Sequence, residues 1–169
     1  ATALIDASYQ LDDVPQTARR TALDEMLAQT DAQQFLFPVP PSGRAGELAL
    51  HLMRHGDVSF DDTCREAIED GIQSGSLSPQ SAALAPLLTR GFDKSAEFLL
   101  CDTPNADGGM AQKIVGDGHE AGRLGQDAIV VFTGHMTAHA RAIAAQGGRF
   151  LRWNVHPPLS DQIEMIRHL

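Results

Sequence analysis

The sequence is poor in cysteine, in aromatic residues and in long apolar runs. Its two cysteines, Cys64 and Cys101, are too few for the disulfide framework that stabilises many small secreted proteins. No apolar run approaches the roughly 18 residues that a membrane-spanning helix needs, and no basic segment leads into an apolar one as in a signal peptide. These absences predict a soluble, cytoplasmic protein without a membrane partner.

Lysine and arginine are also scarce. The chain has 13 of them against 22 aspartates and glutamates, which gives a formal net charge of −9. A protein that binds nucleic acid unaided needs basic side chains to neutralise phosphates, so this charge argues against that class. Any contact with nucleic acid must therefore be local, or shared with another domain.

Short apolar runs alternate with amphipathic helical patterns along the chain. Residues 35–39, 97–101 and 128–132 are predicted strands, and residues 15–29 and 45–53 are predicted helices. The alternation predicts an α/β fold with a mostly parallel sheet and helices on both faces, three layers in all, similar to a Rossmann fold. Residues 128–132 lack polar alternation, so we predict that they form the central strand.

The length suits a single domain, which we place over residues 1–169. The chain enters a predicted strand at residues 2–5 almost at once, so we expect it to be a fragment of a longer protein. Residues 71–81 are rich in Gly and Ser and are predicted to form a loop. An amphipathic helix is predicted to begin at residues 160–161.

Polar residues follow several of the predicted strands. In a parallel sheet ligands bind beyond the carboxyl ends of the strands, so we expect these residues to share one edge. The turn Ser42-Gly43-Arg44 is the most suggestive, because Ser42 is predicted to cap a helix whose first N–H groups can bind a phosphate. An ordinary βα turn without a ligand is the alternative. The residues at this edge are Asp6, Ser42, Gly43, Arg44, Asp102, Thr133, Gly134 and His156.

Four stretches of sequence together resemble one known family. They are Thr2-Ala-Leu-Ile-Asp-Ala-Ser-Tyr9, Phe37-Pro-Val-Pro-Pro-Ser-Gly-Arg-Ala-Gly-Glu-Leu48, Ile129-Val-Val-Phe-Thr-Gly134, and Asn154-Val-His156 followed by Ser160-Asp161-Gln162. In this order they resemble the β-CASP domain of the metallo-β-lactamase nucleases, the group that includes ribonuclease J and the polyadenylation cleavage factor. Gly46 stands where that family usually has Gln.

The resemblance implies a role in RNA processing or degradation. It makes Asp6 and His156 the expected catalytic pair, and it makes Ser42, Gly43, Arg44, Thr133 and Gly134 the expected nucleic-acid-binding residues. The partners it implies are RNA, with single-stranded DNA as an alternative, and the metallo-β-lactamase domain of the same protein; a homo-oligomer is compatible with it.

The zinc that the resemblance implies would belong to the parent enzyme. The family's zinc-binding motif, His-x-His-x-Asp-His, is absent from this sequence. We therefore expect the chain to hold no metal of its own and to be inactive alone. His135 and His139 have the four-residue spacing that suits a metal, but they lack a third ligand nearby in sequence, and His51 is assigned no role.

Two other functions remain open from the sequence. Leu52-Met-Arg-His-Gly56 is similar to the Arg-His-Gly motif of histidine phosphatases, whose chemistry requires that motif directly after a buried strand. Here it follows a helical pattern instead. The other alternative is a non-catalytic module that presents phosphate-binding loops to RNA or to a partner protein.

Overall fold

The computed structural model describes residues 13–41, 43–77, 79–102, 128–132, 149–150 and 159–167. These residues form five helices, one 3₁₀ helix and five strands. The helices are α1 (Gln16–Ala28), α2 (Arg44–Leu52), α3 (Asp62–Gln73), α4 (Ala85–Leu88) and α5 (Leu159–Arg167), with the 3₁₀ helix at Pro79–Leu84. The strands are β1 (Gln34–Val39), β2 (Val58–Phe60), β3 (Phe98–Asp102), β4 (Ala128–Phe132) and β5 (Arg149–Phe150).

The strands pair in the order β2-β3-β1-β4-β5, and every pairing is parallel. The first four form the body of the sheet, and the two-residue β5 extends it beside β4. The prediction of an α/β fold with a parallel sheet is therefore confirmed. The central position is occupied by β1, because it pairs with β3 on one side and β4 on the other. The prediction that β4 is the central strand is wrong, since a run covered on both faces need not lie in the middle.

Both faces of the sheet are covered. On one face, Phe35, Phe37 and Phe98 pack into a core with apolar residues of α1, α2, α3, the 3₁₀ helix and α4. On the other face, Leu36, Leu99 and Val130 point the opposite way because strand side chains alternate, and each is fully buried. Burial on both faces explains why β1 and β3 read as continuous apolar runs rather than alternating ones.

The turn from β1 into α2 depends on Gly43. Its φ of 72° and ψ of −67° correspond to a γ-turn that side chains disfavour, so glycine is required there. Gly43 also occupies the N-cap position of α2, with no side-chain cap. The prediction that Ser42 caps this helix is therefore wrong by one residue, and Ser42 itself lies outside the described part of the chain.

Gly46 lies where α2 packs against the 3₁₀ helix. A β carbon added to it would lie 3.5 Å from Cδ1 of Leu84 and 4.0 Å from Cγ1 of Ile68, which are ordinary contacts. An alanine therefore fits at this position, with these two side chains in van der Waals contact. The space at Gly46 therefore suits a small residue.

Asp61 links the ends of β2 and β3 to the start of α3. Its Oδ1 accepts a hydrogen bond from Cys64 N (2.9 Å), which caps α3. Its Oδ2 accepts a second one from Asp102 N at the end of β3 (2.9 Å). This one buried carboxylate therefore holds a helix start against a strand end.

The segment after α3 differs from the prediction of a loop over residues 71–81. α3 continues to Gln73, and the 3₁₀ helix already begins at Pro79. Pro86 does not break the next helix, because it lies in the first turn of α4, where its missing N–H has no partner to lose. At the end of the chain, α5 begins close to its predicted start, and Ser160 N–H donates to Asp13 Oδ1 (2.9 Å).

We predict that Asp61→Ala lowers the free energy of unfolding by about 2–4 kcal/mol. The change removes the cap of α3 and leaves the N–H of Asp102 without its acceptor. Asp62→Ala is the matched control, because this neighbouring acid is exposed and only pairs with Arg65; it should cost less than about 1 kcal/mol. Urea unfolding of both variants measures the difference, and equal losses would contradict the role of Asp61.

Candidate functional site

Two of the residues predicted to bind nucleic acid lie in the described structure. Gly43 is exposed at the carboxyl end of β1, and Arg44 begins α2 with only 7% of its surface exposed. The other five predicted site residues, Asp6, Ser42, Thr133, Gly134 and His156, lie outside the described residues. The expected pairing of Asp6 with His156 therefore stays a prediction.

The carboxyl ends of β1 and β3 lie side by side. Asp102 is the register partner of Val39, the last residue of β1, so this acid is beside the strand end that leads to Gly43. Its backbone N–H is held by Asp61, which follows β2. The prediction that Asp102 shares an edge with the Gly43 turn is thus confirmed, as the parallel register requires.

A cleft of about 710 Å³ runs beside α2, between α1 and the 3₁₀ helix; we call it the α2 cleft. The face of α2 that lines it is opposite the apolar face that packs on the sheet. Its charged lining consists of Arg20, Arg54 and Glu47, with His51 between them. The other lining residues are Gly43, Leu50, Leu77, Gln80, Ser81 and Ala83. The cleft therefore joins the Gly43 turn to the C-terminal end of α2.

A row of polar contacts connects α1 to α2, and we call it the polar seam. At one end Glu47 Oε1 accepts from Gln16 Nε2 (2.8 Å) and lies 3.5 Å from Arg20 Nη2. At the other end Asp24 contacts His51 of α2 and His55 just beyond the helix. The members recur every four residues on each helix, so they face the partner helix turn after turn. They are Gln16, Arg20 and Asp24 on α1, Glu47 and His51 on α2, and His55 just beyond the end of α2.

Asp24, His51 and His55 form a compact group, which we call the histidine cluster. Oδ1 of Asp24 lies 2.6 Å from Nε2 of His51 and 2.9 Å from Nε2 of His55. The two imidazole rings have centroids 5.5 Å apart. His51 is almost completely buried, whereas the side chains of His55 and Asp24 are 33% and 43% exposed. One ligand atom from each residue lies within 4.8 Å of the others, a spacing that suits a metal ion.

The environment of Asp24 favours its charged form. Burial raises its pKa, but the hydrogen bond and charge of His51, followed by those of His55, outweigh burial and lower the pKa below the ordinary value of 3.8. The carboxylate of Asp24 is therefore ionised at neutral pH, which is the form that accepts both hydrogen bonds.

The histidine cluster is the part of the site that the sequence analysis missed. His51 and His55 stand four residues apart, the same spacing that singled out His135 and His139. That signal was present, but the third member, Asp24, lies 27 positions before His51 and joins only when α1 packs beside α2. His135 and His139 lie outside the described residues.

The structure places Arg54-His55-Gly56 directly after α2 rather than after a strand. Histidine phosphatase chemistry requires the motif at a strand end, facing the phosphate site. In this structure His55 contacts Asp24 of α1, at the opposite end of α2 from the Gly43 turn. The geometry therefore does not favour the phosphatase alternative.

The two cysteines show no sign of a nucleophile. Both side chains are fully buried, and burial, assisted by the nearby charge of Asp61, raises the pKa of each thiol far above its usual value. Cys64 packs in the core on α3, and Cys101 lies on the other face of the sheet in β3. They are structural residues.

No helix within the ranges that the structure covers is long and apolar enough to cross a membrane.

In comparisons with known proteins, no family profile matches the chain and no curated protein matches it significantly. The resemblance to β-CASP domains consequently rests on the four sequence stretches alone.

We predict that the stabilising effect of Asp24 depends on pH. Its pKa is lower in the folded chain than in the unfolded one, so its contribution is complete above about pH 3.8 and is lost as the pH falls through the folded-state value. Asp24→Asn should therefore lower the free energy of unfolding at pH 5–7 and approach wild type in strong acid.

Urea unfolding in buffer with a chelator, repeated from neutral to acidic pH, measures this effect. Asp31→Asn is the control, because Asp31 is exposed and is not a member of the histidine cluster. A loss for Asp24→Asn that does not change with pH would show that the charge of Asp24 does not matter.

Proposed function

We propose that the chain is the nucleic-acid-binding, β-CASP-like domain of a zinc-dependent nuclease with a metallo-β-lactamase domain, acting on RNA. The observation that carries the proposal is the position of the β1–α2 turn. β1 is the central strand of a parallel sheet, and its carboxyl end leads through Gly43 into α2. Parallel sheets bind ligands at this kind of strand end.

The start of α2 supports a phosphate site at Gly43. The first hydrogen bond of the helix runs from Glu47 N to Gly43 O (3.1 Å), so the N–H groups that precede Glu47 have no acceptor within the helix. Arg44, Ala45 and Gly46 are buried and Gly43 is exposed, so Gly43 is where a ligand can reach this helix start. The positive end of the helix dipole lies at the same place. The position of a β carbon on Gly43 has no atom within 4 Å, so a ligand can approach the turn closely.

The burial of Arg44 changes which groups would meet the ligand. With 7% of Arg44 exposed, Gly43 is the accessible described residue of the predicted Ser42-Gly43-Arg44 site. The accessible cations are Arg20 and Arg54, which line the α2 cleft. A phosphodiester backbone held at the turn would follow α2 for about 15 Å to reach Arg54, at 1.5 Å per helical residue.

The catalytic part of the proposal concerns Asp6 and His156. A carboxylate that accepts from one imidazole nitrogen fixes the tautomer of the ring, and the other nitrogen then donates a proton to the leaving oxygen. The described residues at this edge of the sheet do not fit the zinc ions that the resemblance implies. Among the described residues, the group with metal-ligand spacing lies instead at the C-terminal end of α2. The host domain would supply that metal site.

We predict that Arg54→Ala weakens binding to a single-stranded oligouridine. Loss of one phosphate contact should lower the affinity severalfold and reduce the slope of log affinity against log salt by about 0.7. Fluorescence anisotropy at several salt concentrations measures both quantities. Arg90→Ala is the matched control, since Arg90 is exposed, carries the same charge and lies outside the α2 cleft. Equal effects of the two variants would mean that only overall charge matters.

We predict that Asp6→Asn and His156→Ala in the parent enzyme reduce the rate of RNA cleavage by about 10²–10⁴-fold while RNA affinity changes little. The physical reason is that general acid catalysis acts on the transition state rather than on substrate binding. Single-turnover cleavage and anisotropy on the same samples separate the two effects. If cleavage remains normal in both variants, the catalytic assignment is wrong, whereas the binding proposal depends on the Arg54 result.

A further inference from the structure

We propose that the histidine cluster of Asp24, His51 and His55 is a binding site for a single divalent transition-metal ion, with Zn²⁺ as the test ion. This site is separate from the zinc centre of the host domain and from the predicted phosphate turn. It does not depend on the proposed function, because it rests on contacts between α1 and the C-terminal end of α2.

The donor atoms are of the types that such an ion prefers. Imidazole nitrogens and carboxylate oxygens both bind Zn²⁺ at about 2.0–2.2 Å, so neighbouring ligand atoms of a tetrahedral site lie about 3.3 Å apart. In the structure Oδ1 of Asp24 lies 2.6 Å and 2.9 Å from the two Nε2 atoms. An opening of less than about 1 Å therefore makes room for an ion between them.

Each Nε2 must present a lone pair rather than a proton to bind an ion. In the ion-free cluster both Nε2 atoms lie at hydrogen-bond distance from the ionised carboxylate of Asp24, which can only accept, so the Nε2–H groups face it. When an ion binds, each ring carries its proton on Nδ1 instead, and the lone pair of Nε2 faces the metal. The carboxylate exchanges two hydrogen bonds for one coordinate bond.

The surroundings combine a rigid ligand with an open side. His51 is almost completely buried and held on α2, which fixes one imidazole in place. His55 and Asp24 are partly exposed, so an ion can enter from solvent and keep a water molecule as its fourth ligand. The C-terminal end of a helix also favours a positive charge, and the cluster lies there. Because Asp24 belongs to α1, a bound ion would link the two helices.

The test is isothermal titration of the complete 169-residue chain, first washed with a chelator, with ZnCl₂. We expect about one ion per chain, and a higher melting temperature when zinc is present. His55→Gln and Asp24→Asn should each weaken zinc binding by at least about tenfold. Asp24→Asn is informative because the amide oxygen still accepts from both histidines, so it keeps the hydrogen bonds and removes the anionic ligand.

The control is the double variant His135→Gln and His139→Gln, which removes the other histidine pair with the same spacing. Its zinc affinity should equal that of the wild type. X-ray absorption of zinc bound to this control variant should show two imidazole ligands, a result that does not depend on how the cluster variants fold. Failure to bind zinc at micromolar concentration, or binding that is lost only in the control, would overturn the proposal.

Discussion

The complete burial of β1 is the constraint on which the rest of the structure depends. All six of its residues are buried, because β1 has a strand on each side and both faces of the sheet are covered there. Even Gln34, its polar first residue, places its amide against the carbonyls of Lys94 and Ala96, so that the loop before β3 satisfies the buried donor. A chain that leaves such a strand must turn sharply at the sheet edge and return across one face. Gly43 provides that turn, and α2 is the returning segment.

The position of α2 follows from that turn, and the polar groups follow from the position of α2. Its apolar side, with Leu48 and Leu52, packs on the sheet, so its opposite side is left for α1 and solvent. Polar residues spaced by four on both helices then meet in the polar seam. These polar residues contact one another rather than only water, since Asp24 lies at hydrogen-bond distance from two histidines.

The sequence predicted local features well where one physical signal dominated. The apolar run of β1 and the helical period of α2 each depend on neighbouring residues, and each was confirmed. The order of the strands was not predictable in the same way, because burial on both faces is equally compatible with several positions in a sheet. The histidine cluster was missed for a related reason. It forms only when α1 lies beside α2, and the sequence of either helix alone does not predict which helix packs against it.

The two ends of α2 differ in electrostatic character, and this difference relates the two proposed sites. The aligned peptide dipoles place partial positive charge near Gly43 and partial negative charge near His55. A phosphate at the first end and a metal cation at the second are each favoured by about 0.3–1 kcal/mol from this source. Both ligands stabilise the same orientation of α2 on the sheet. Because an ion at the histidine cluster would also hold α1 along the α2 cleft, the proposed metal site would stabilise the position of Arg20, which belongs to α1 and lines that cleft.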